Sequence, residues 1–241
     1  MTAVAELFVD ECERAQPRVA IPVPEMRLVV RFGPSVRDGL DIHVLGVRDK
    51  VHRKLVPGGL RVLFARLPLN TYQAVLGVPA LDIAGRVVAL GDVWGDTATQ
   101  RLSDRLAGTR DMAAATATLE SVIAERIARA DKPSAHAELA FNAAGKLGNA
   151  SITAVARDLG VSERQFRRVF REEAGMSPKT FAKLARFRRA LNAASGKGET
   201  SWADIAAAVG YYDQAHLIAE FRAIAGTTPR VLLAELHGQA A

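Results

Sequence analysis

Four arginines lie within eight residues at a spacing that suits recognition of a phosphate-bearing polymer. They are Arg164, Arg167, Arg168 and Arg171. On a helical wheel at about 100° per residue, three of them share one face and Arg167 lies beside it. A guanidinium is a planar fork of donors that matches phosphate oxygens or the O6 and N7 edge of guanine. The alternative, a charged face that contacts only water, is the usual interpretation of such a run.

The other side of the same stretch is apolar. Phe166, Val169 and Phe170 form one stripe, which predicts a helix packed on a core. Ser162 and Gln165 have the spacing of a capping box at its start. Because Gly160 closes the preceding apolar helix, the pattern is helix, glycine turn, helix, which is a helix-turn-helix.

This pattern occurs twice. Two residue pairs are offset by 50 positions and three by 51, so the second copy has one extra residue after its glycine. The pairs are Ala156 and Ala206, Gly160 and Gly210, Phe170 and Phe221, Gly175 and Gly226, and Pro178 and Pro229. A repeat of this size indicates a duplicated supersecondary unit. Between the copies, Ser177 and Pro178 are suited to the N-cap and first position of a helix that extends to about Ala194. Such a helix is roughly 25 Å long and can hold two reading units about one duplex turn apart.

The second unit has fewer hydrogen-bonding groups on its outward face. Asp213 is its expected N-cap, and Leu217, Phe221 and Ile224 form its apolar stripe. The outward residues are Gln214, Ala215, Ala219 and Arg222. Alanine can contact a thymine methyl group but cannot form a fork to guanine. We therefore expect unequal units, in which the first supplies most direct readout and the second mainly positions the protein and contacts phosphate. His216 lies beside the stripe, where a bond to the backbone or to Asp213 is favoured over a base contact.

These residues resemble the AraC/XylS family of transcriptional regulators. The resemblance covers about residues 136–236 and rests on both glycine-centred units, above all on the stretch from Ile205 to Pro229. It implies an all-α domain of seven helices, in which two helix-turn-helix units enter adjacent major-groove segments. By position, the family's base contacts map to Arg164, Arg167 and Arg168 in the first unit and to Gln214 and Ala215 in the second.

Together with the helical wheels, the resemblance defines the candidate DNA-binding residues. They are Arg164, Arg167, Arg168, Arg171, Gln214, Ala215, His216 and Arg222. The sequence departs from the family at Ala219, where an arginine is common, and at residues 231–233, where a Tyr-Arg ending is usual. The partners implied are an operator duplex and a small-molecule effector, with a homodimer and a contact to RNA polymerase also allowed. No cofactor is expected.

The first half has a different pattern. Short apolar runs at 27–32, 40–47, 51–55 and 60–67, separated by Gly and Pro turns, predict a small antiparallel sheet or half-barrel. Residues 1–24 are expected to form a short helix and an extended lead-in, and helices are expected at about 96–106 and 112–129. The apolar stripe of the second helix supports either self-association or packing on its own domain. The fold class is thus an α+β half, cupin-like by resemblance to family sensor halves, followed by an all-α half.

Pro133 marks the predicted boundary, because a proline disfavours helix at the residue before it. We expect a sensor or dimerisation domain at 1–133 and the double helix-turn-helix domain at 134–241. The net charge is +6, and residues 134–241 hold fourteen basic against ten acidic residues, as expected of a nucleic-acid binder. The single cysteine excludes an intrachain disulfide, and the absence of a signal-like segment favours the cytoplasm.

An enzyme would need a reactive constellation in residues 1–133, and none is evident. His43 and His52 lie in predicted strands with Asp41 and Asp49 nearby, but exposed strand residues are the favoured interpretation over a metal site. Cys12 has no partner thiol and is expected to be inert. Two non-enzymatic alternatives stay open: an architectural or non-specific DNA binder without effector control, and an interaction module whose arginines bind an acidic protein.

Overall fold

The computed structural model describes residues 6–196 and 201–238; the loop predicted at 195–198 lies partly outside them. In the first half, seven strands and five helices alternate irregularly. They are β1 (Glu6–Cys12), β2 (Gln16–Ala20), β3 (Arg27–Phe32), β4 (Leu40–Leu45), β5 (His52–Val56), β6 (Leu60–Arg66), α1 (Tyr72–Leu76), α2 (Ala80–Ile83), β7 (Val87–Ala89), α3 (Leu90–Trp94), α4 (Asp96–Ala107) and α5 (Met112–Arg129).

The strands form two antiparallel sheets. Five of them pair in the order β1-β6-β3-β4-β7, and β2 pairs with β5 in a separate ribbon. In the larger sheet Val30 lies opposite Leu63 on one side and Ile42 on the other. These three side chains belong to the main hydrophobic core, whereas Val29 belongs to a smaller cluster that includes Val56 of the ribbon. The sheet therefore has helices on one face and the ribbon over part of the other.

The four predicted strands are confirmed to within two residues, as are the helices α4 and α5. The prediction for residues 1–24 is wrong, because β1 and β2 occupy much of that stretch. Its residues lack clear period-2 alternation, and their partners β6 and β5 lie far along the chain. Strand β7 was also missed, because three residues carry too little pattern. Leu119 and Ile123 of α5 are fully buried in the main core, so its stripe packs on its own fold.

Residues 134–196 and 201–238 form seven helices. They are α6 (Ala135–Leu147), α7 (Ile152–Asp158), α8 (Glu163–Ala174), α9 (Pro178–Ser195), α10 (Trp202–Val209), α11 (Gln214–Ala225) and α12 (Pro229–His237). The predicted caps are present: Ser162, Ser177 and Asp213 each accept a hydrogen bond from the first turn of the helix that follows. Gly175 and Gly226 end α8 and α11 with φ near +70°, a conformation that favours glycine.

One hydrophobic core runs through both halves. Its first residue along the sequence is Met26, immediately before β3, and its last is Leu232 in α12. Residues 131–134, between α5 and α6, form neither helix nor strand, at the place where the boundary is predicted. No helix within the described ranges is long and apolar enough to cross a membrane.

Candidate nucleic-acid interface

The first reading helix, α8, has one fully buried face and one exposed face. Phe166, Val169 and Phe170 are 0% exposed, and Phe170 packs edge-on against Phe181 of α9, with ring centroids 5.3 Å apart. The four candidate arginines on α8 are all exposed. The core thus fixes the orientation of α8, and its cationic face is directed away from the protein.

The start of α8 is held by an acidic residue as well as by its cap. Ser162 Oγ accepts a hydrogen bond from the Gln165 amide at 3.2 Å. Within the described contacts the return bond from the Gln165 side chain is not formed, so the capping box is only half present. Instead the Glu163 carboxylate accepts from Thr153 Oγ1 at 2.7 Å and from Arg167 Nε at 2.9 Å. These bonds, Thr153 first, lower the pKa of Glu163.

The four arginines differ in how far neighbours restrain them. Arg167 pairs with Glu163, and Arg168 lies 3.5 Å from Glu172. Among the described residues, the guanidinium groups of Arg164 and Arg171 have no side-chain acceptor. Exposed pairs one turn apart stabilise by only about 0.3–0.5 kcal/mol, so each can open to a stronger anion at little cost.

The second reading helix, α11, has the same arrangement with fewer polar groups. Leu217, Phe221 and Ile224 are buried. The candidate contact residues on α11 are exposed, and so is Ala219; they are Gln214, Ala215, His216 and Arg222. The outward faces of α8 and α11 are therefore similarly exposed. The face of α11 carries fewer hydrogen-bonding groups, as expected from the sequence.

His216 takes part in the turn that precedes α11. Its amide donates to Asp213 Oδ1 at 2.7 Å, and its ring Nδ1 accepts from the Tyr212 amide at 3.4 Å. Its ring also packs edge-on against Tyr211, with centroids 5.3 Å apart. These contacts give the imidazole a role in the turn while leaving the residue exposed.

Helix α9 connects the two units through a buried ion pair. Arg186 of α9 donates to Glu220 of α11 with an Nη2–Oε2 distance of 2.8 Å, and Tyr211 donates its hydroxyl to Glu220 Oε1 at 2.7 Å. Burial raises the pKa of Tyr211, and the hydrogen-bonded Glu220 raises it further. Sequence reasoning missed Glu220; the available signal was a carboxylate one position before a core phenylalanine.

A groove of about 590 Å³ lies between the two units. Its walls come from the α6–α7 turn, α9 and the C-terminal end of α10, and Lys179, Arg186 and Arg189 contribute its basic groups. Arg189 also donates to the Val209 carbonyl at 3.2 Å, which ties α9 to the end of α10. Lys179 is exposed.

The sequence profile described as "Helix-turn-helix domain" matches residues 155–235, which span α7 to α12. This part of the chain is therefore a helix-turn-helix domain. Helix-turn-helix domains of this kind are DNA-binding modules of transcriptional regulators, and their reading helices lie in the major groove.

Several solved structures are similar to the chain. The C-terminal domain of AraT, a response regulator from Geobacillus stearothermophilus, is 21% identical over 42% of this chain and 88% of its own, with a TM-score of 0.38. A DNA-binding transcriptional dual regulator from Escherichia coli K-12 is 22% identical over 43% of this chain and 98% of its own, with a TM-score of 0.35. ToxT from Vibrio cholerae O395 is 10% identical over 98% of this chain and 99% of its own, with a TM-score of 0.47. No curated protein matches this sequence.

The candidate metal or redox residues of the first half are either bonded to neighbouring groups or exposed singly. His43 Nδ1 lies 3.5 Å from Asp41 Oδ1, and the same carboxylate accepts from Arg31 Nε at 2.8 Å. His52 and Asp49 are exposed. Within residues 6–196 and 201–238, no three His, Cys, Asp or Glu side chains are grouped so as to hold a metal ion. Buried Cys12 donates its thiol proton to the Arg14 carbonyl at 2.9 Å.

Proposed function

We propose that this protein is a sequence-specific transcriptional regulator that binds two successive major-groove segments on one side of an operator duplex, in the cytoplasm. The observation that carries the proposal is that α8 and α11 each bury one face and expose the other, while α9 lies between them and the Arg186–Glu220 pair joins it to α11. Helix α9 has eighteen residues, or about 27 Å of rise. That length is comparable to the 34–36 Å between successive major-groove segments.

The two reading helices contribute different energies. The arginines of α8 provide forked donors for guanine and phosphate, and each well-formed bidentate base contact contributes about 1–3 kcal/mol of discrimination. Helix α11 offers Gln214 for a base edge, Ala215 for a methyl group and Arg222 for phosphate. We therefore expect a sharp preference over one segment and a diffuse one about a turn away.

Between the two segments the phosphate backbone passes the protein, and the groove beside α9 supports a contact there. Lys179 is exposed at its rim, and the α6–α7 turn brings backbone groups to the same place. A lysine contact to phosphate positions a protein without reading sequence.

Selection of the full-length protein on a randomised duplex pool, with sequencing of the bound fraction, tests the proposal. The expected result is one enriched segment of several base pairs and a weaker one about one turn away. The matched control is Arg101→Ala, which removes an exposed arginine from α4 and is expected to select the same sequence. No enrichment, despite binding that weakens with salt, would favour the architectural alternative, because phosphate contacts alone are salt-dependent and sequence-blind.

The first half supports control by a small molecule, and two partly buried arginines that face each other in its sheet favour an anionic one. Arg27 and Arg66 lie directly opposite each other on β3 and β6. Like charges at such positions destabilise a sheet. Burial, and after it the charge of Arg66, lower the pKa of Arg27 to about 10. Among the described residues Arg27 has no hydrogen-bond acceptor, and its buried Nε is unpartnered.

Arg66 already pairs with Glu6, so a bound carboxylate or phosphate would chiefly neutralise Arg27 and thereby stabilise the fold. Thermal unfolding of the full-length protein is therefore expected to shift upward with a carboxylate or phosphate ligand and not with the corresponding amide or alcohol. Arg27→Met is expected to remove the shift, whereas Arg61→Met, at an exposed site on β6, is expected to keep it. Equal shifts in both variants would place the effector elsewhere.

Self-association is a separate proposal. Strand β1 lies at the edge of the five-stranded sheet, and its Phe8 and Val9 are 36% and 39% exposed. An edge strand has unpaired backbone groups that can pair with another chain, which supports a homodimer through β1. Sedimentation of the protein and of Val9→Lys tests this, since a charge on β1 is expected to favour the monomer. A contact with RNA polymerase stays a prediction from the family resemblance.

A further inference from the structure

The connection between β4 and β5 contacts the C-terminal ends of both reading helices. We define residues 47–53, which comprise most of this connection and the first two residues of β5, as the bridging segment. At α8, a Cβ built on Gly175 would lie 3.2 Å from Val47 Cγ2 and 3.0 Å from the Ala80 carbonyl oxygen. The end of the first reading helix therefore packs directly against the first half of the chain.

At α11 the same segment forms hydrogen bonds to the helix end. The last four carbonyls of an α-helix lack partners within the helix. The Gly226 amide donates to the carbonyl of residue 222, in the usual helical register. The next three carbonyls accept from the bridging segment, and the bonds are Lys50 Nζ to Ala223 at 2.5 Å, the Val51 amide to Ile224 at 2.9 Å and Arg53 Nη1 to Ala225 at 2.9 Å.

The charges at this helix end are also favourable. A helix C-terminus carries partial negative charge, and Lys50 and Arg53 place two cations against it. Arg53 additionally pairs with Glu235 of α12, with an Nη2–Oε2 distance of 2.9 Å. The bridging segment is thus attached to α11 and α12 together.

The other end of the segment is fixed within the first half. The Val47 carbonyl accepts from the Gly85 amide at 2.9 Å. A Cβ on Gly46 would lie only 1.9 Å from the Ile83 carbonyl oxygen, so the backbones are in close contact there. The start of the segment is therefore attached to α2 and to the turn between α2 and β7.

Both contacts are at the ends of the reading helices opposite to those expected to face bases. A helix-turn-helix contacts base edges with the N-terminal residues of its second helix, here Arg164 on α8 and Gln214 on α11. Holding two helices by their C-terminal ends fixes the distance and the angle between their N-terminal ends.

We propose that the bridging segment sets the spacing at which the two helices read DNA, with Lys50 and Arg53 as positioning residues for α11. The proposal rests on the two-segment reading proposed above and adds that residues outside the DNA-binding domain determine which operator spacing is accepted. A change in the sheet at β4 or β7 would pass to both helices through this segment.

Operator spacing in the full-length protein tests the proposal. Three duplexes are compared: the selected sequence, and the same sequence with one base pair inserted or deleted between its two segments. One base pair moves the second segment by 3.4 Å and about a tenth of a turn. The parent protein is expected to lose about 10-fold in affinity with either change, which is comparable to a mismatched base pair.

The double variant Lys50→Ala/Arg53→Ala is expected to lose less than about 3-fold between the same duplexes, because two of the three hydrogen bonds from the bridging segment to the end of α11 are removed. Restoring a donor with Lys50→Arg/Arg53→Ala is expected to recover part of the discrimination. The control for loss of an exposed cation elsewhere in the first half is Arg61→Ala, on β6. A double variant that discriminates spacing as the parent does would overturn the proposal.

Hydrogen exchange separates this outcome from failure of the proposed function. If the parent selects no sequence, the two-segment reading fails, while the contact at α11 is still measurable. Amides in the last turn of α11, up to Gly226, are expected to exchange about 10-fold faster in the double variant than in the parent or in Arg61→Ala. Equal rates would show that the bridging segment does not hold α11.

Discussion

Arg186 and Glu220 form the buried charge pair that fixes the second reading helix to the connecting helix. The Glu220 side chain is 7% exposed and that of Arg186 is 26% exposed, with 2.8 Å between Nη2 and Oε2. The Arg186 guanidinium also lies over the Tyr211 ring, 5.0 Å from its centroid. The hydrogen bond and charge of Glu220 raise the pKa of Arg186 against the lowering effect of burial. The carboxylate of Glu220 therefore stabilises the partly buried guanidinium of Arg186.

Removing the carboxylate charge should destabilise the protein. Glu220→Gln leaves Arg186 partly buried without its anion, and we expect a loss of about 2–3 kcal/mol in the free energy of unfolding, below the full cost of breaking a completely buried pair. Urea unfolding measures the change. The control is Glu125→Gln on α5, whose exposed pairs with Arg105 and Arg129 are 3.6 and 3.7 Å long, where a loss within about 0.5 kcal/mol is expected. Equal losses in both variants would contradict a stabilising role of the pair.

Arg168→Ala tests direct readout by α8. Arg168 is 60% exposed and its pair with Glu172 is long, so its truncation should leave stability nearly unchanged. Binding to the selected duplex should weaken by about 1–3 kcal/mol, with relaxed preference at one base position. Titration against duplexes substituted at each position measures both effects, with Arg101→Ala as the control. Unchanged affinity and preference would remove Arg168 from the set of base-reading residues.

Ala219→Arg tests the weakness of α11. Position 219 is exposed on the outward face beside Arg222, and its alanine cannot form a fork to guanine. We expect the variant to bind some duplexes about 1–3 kcal/mol more tightly and to sharpen the second selected segment. A gain that is equal for all sequences would instead indicate a phosphate contact, since such contacts carry no sequence information. The charge-matched control is Gln100→Arg, at an exposed position on α4.

The double helix-turn-helix was predictable because its information is local. Ser162, Gly175 and Pro178 mark helix ends within a few residues, and the stripe of Phe166 and Phe170 repeats at helical spacing. The profile match at 155–235 confirms the domain type. The eight candidate DNA-contacting residues on α8 and α11 stay predictions.

Long-range features were not predictable in the same way. Strand β1 pairs with the distant strand β6, from Cys12 opposite Leu60 to Glu6 opposite Arg66, and its own sequence lacks the alternation that would reveal it. The bridging segment contacts α11 across about 170 residues, through backbone carbonyls that no side-chain pattern encodes. Glu220 is similar, because an acidic residue next to a core phenylalanine indicates an exposed helix face until Arg186 and Tyr211 are brought beside it.

The pH dependence of stability should report His43. Its side chain is 16% exposed, and burial lowers its pKa from 6.5, an effect that Asp41 partly offsets and that Arg31 and Lys54 reinforce. The unfolded chain titrates near 6.5 and the folded one at lower pH. In that interval the unfolded state binds more protons, so the free energy of unfolding decreases as the pH falls and levels off below the folded pKa.

His43→Gln should remove this part of the pH dependence. Urea unfolding is measured between about pH 7.5 and about pH 5, which spans the ordinary titration of histidine. We expect the free energy of unfolding to decrease less over this interval in the variant than in the parent. His52 has a lowered pKa from burial and Arg48 as well, but it is exposed and contributes less. His237→Gln, at the exposed end of α12, is the matched control and should retain the parent's slope. Parallel curves for His43→Gln and the parent would show that His43 is not the group that resists protonation in the folded state.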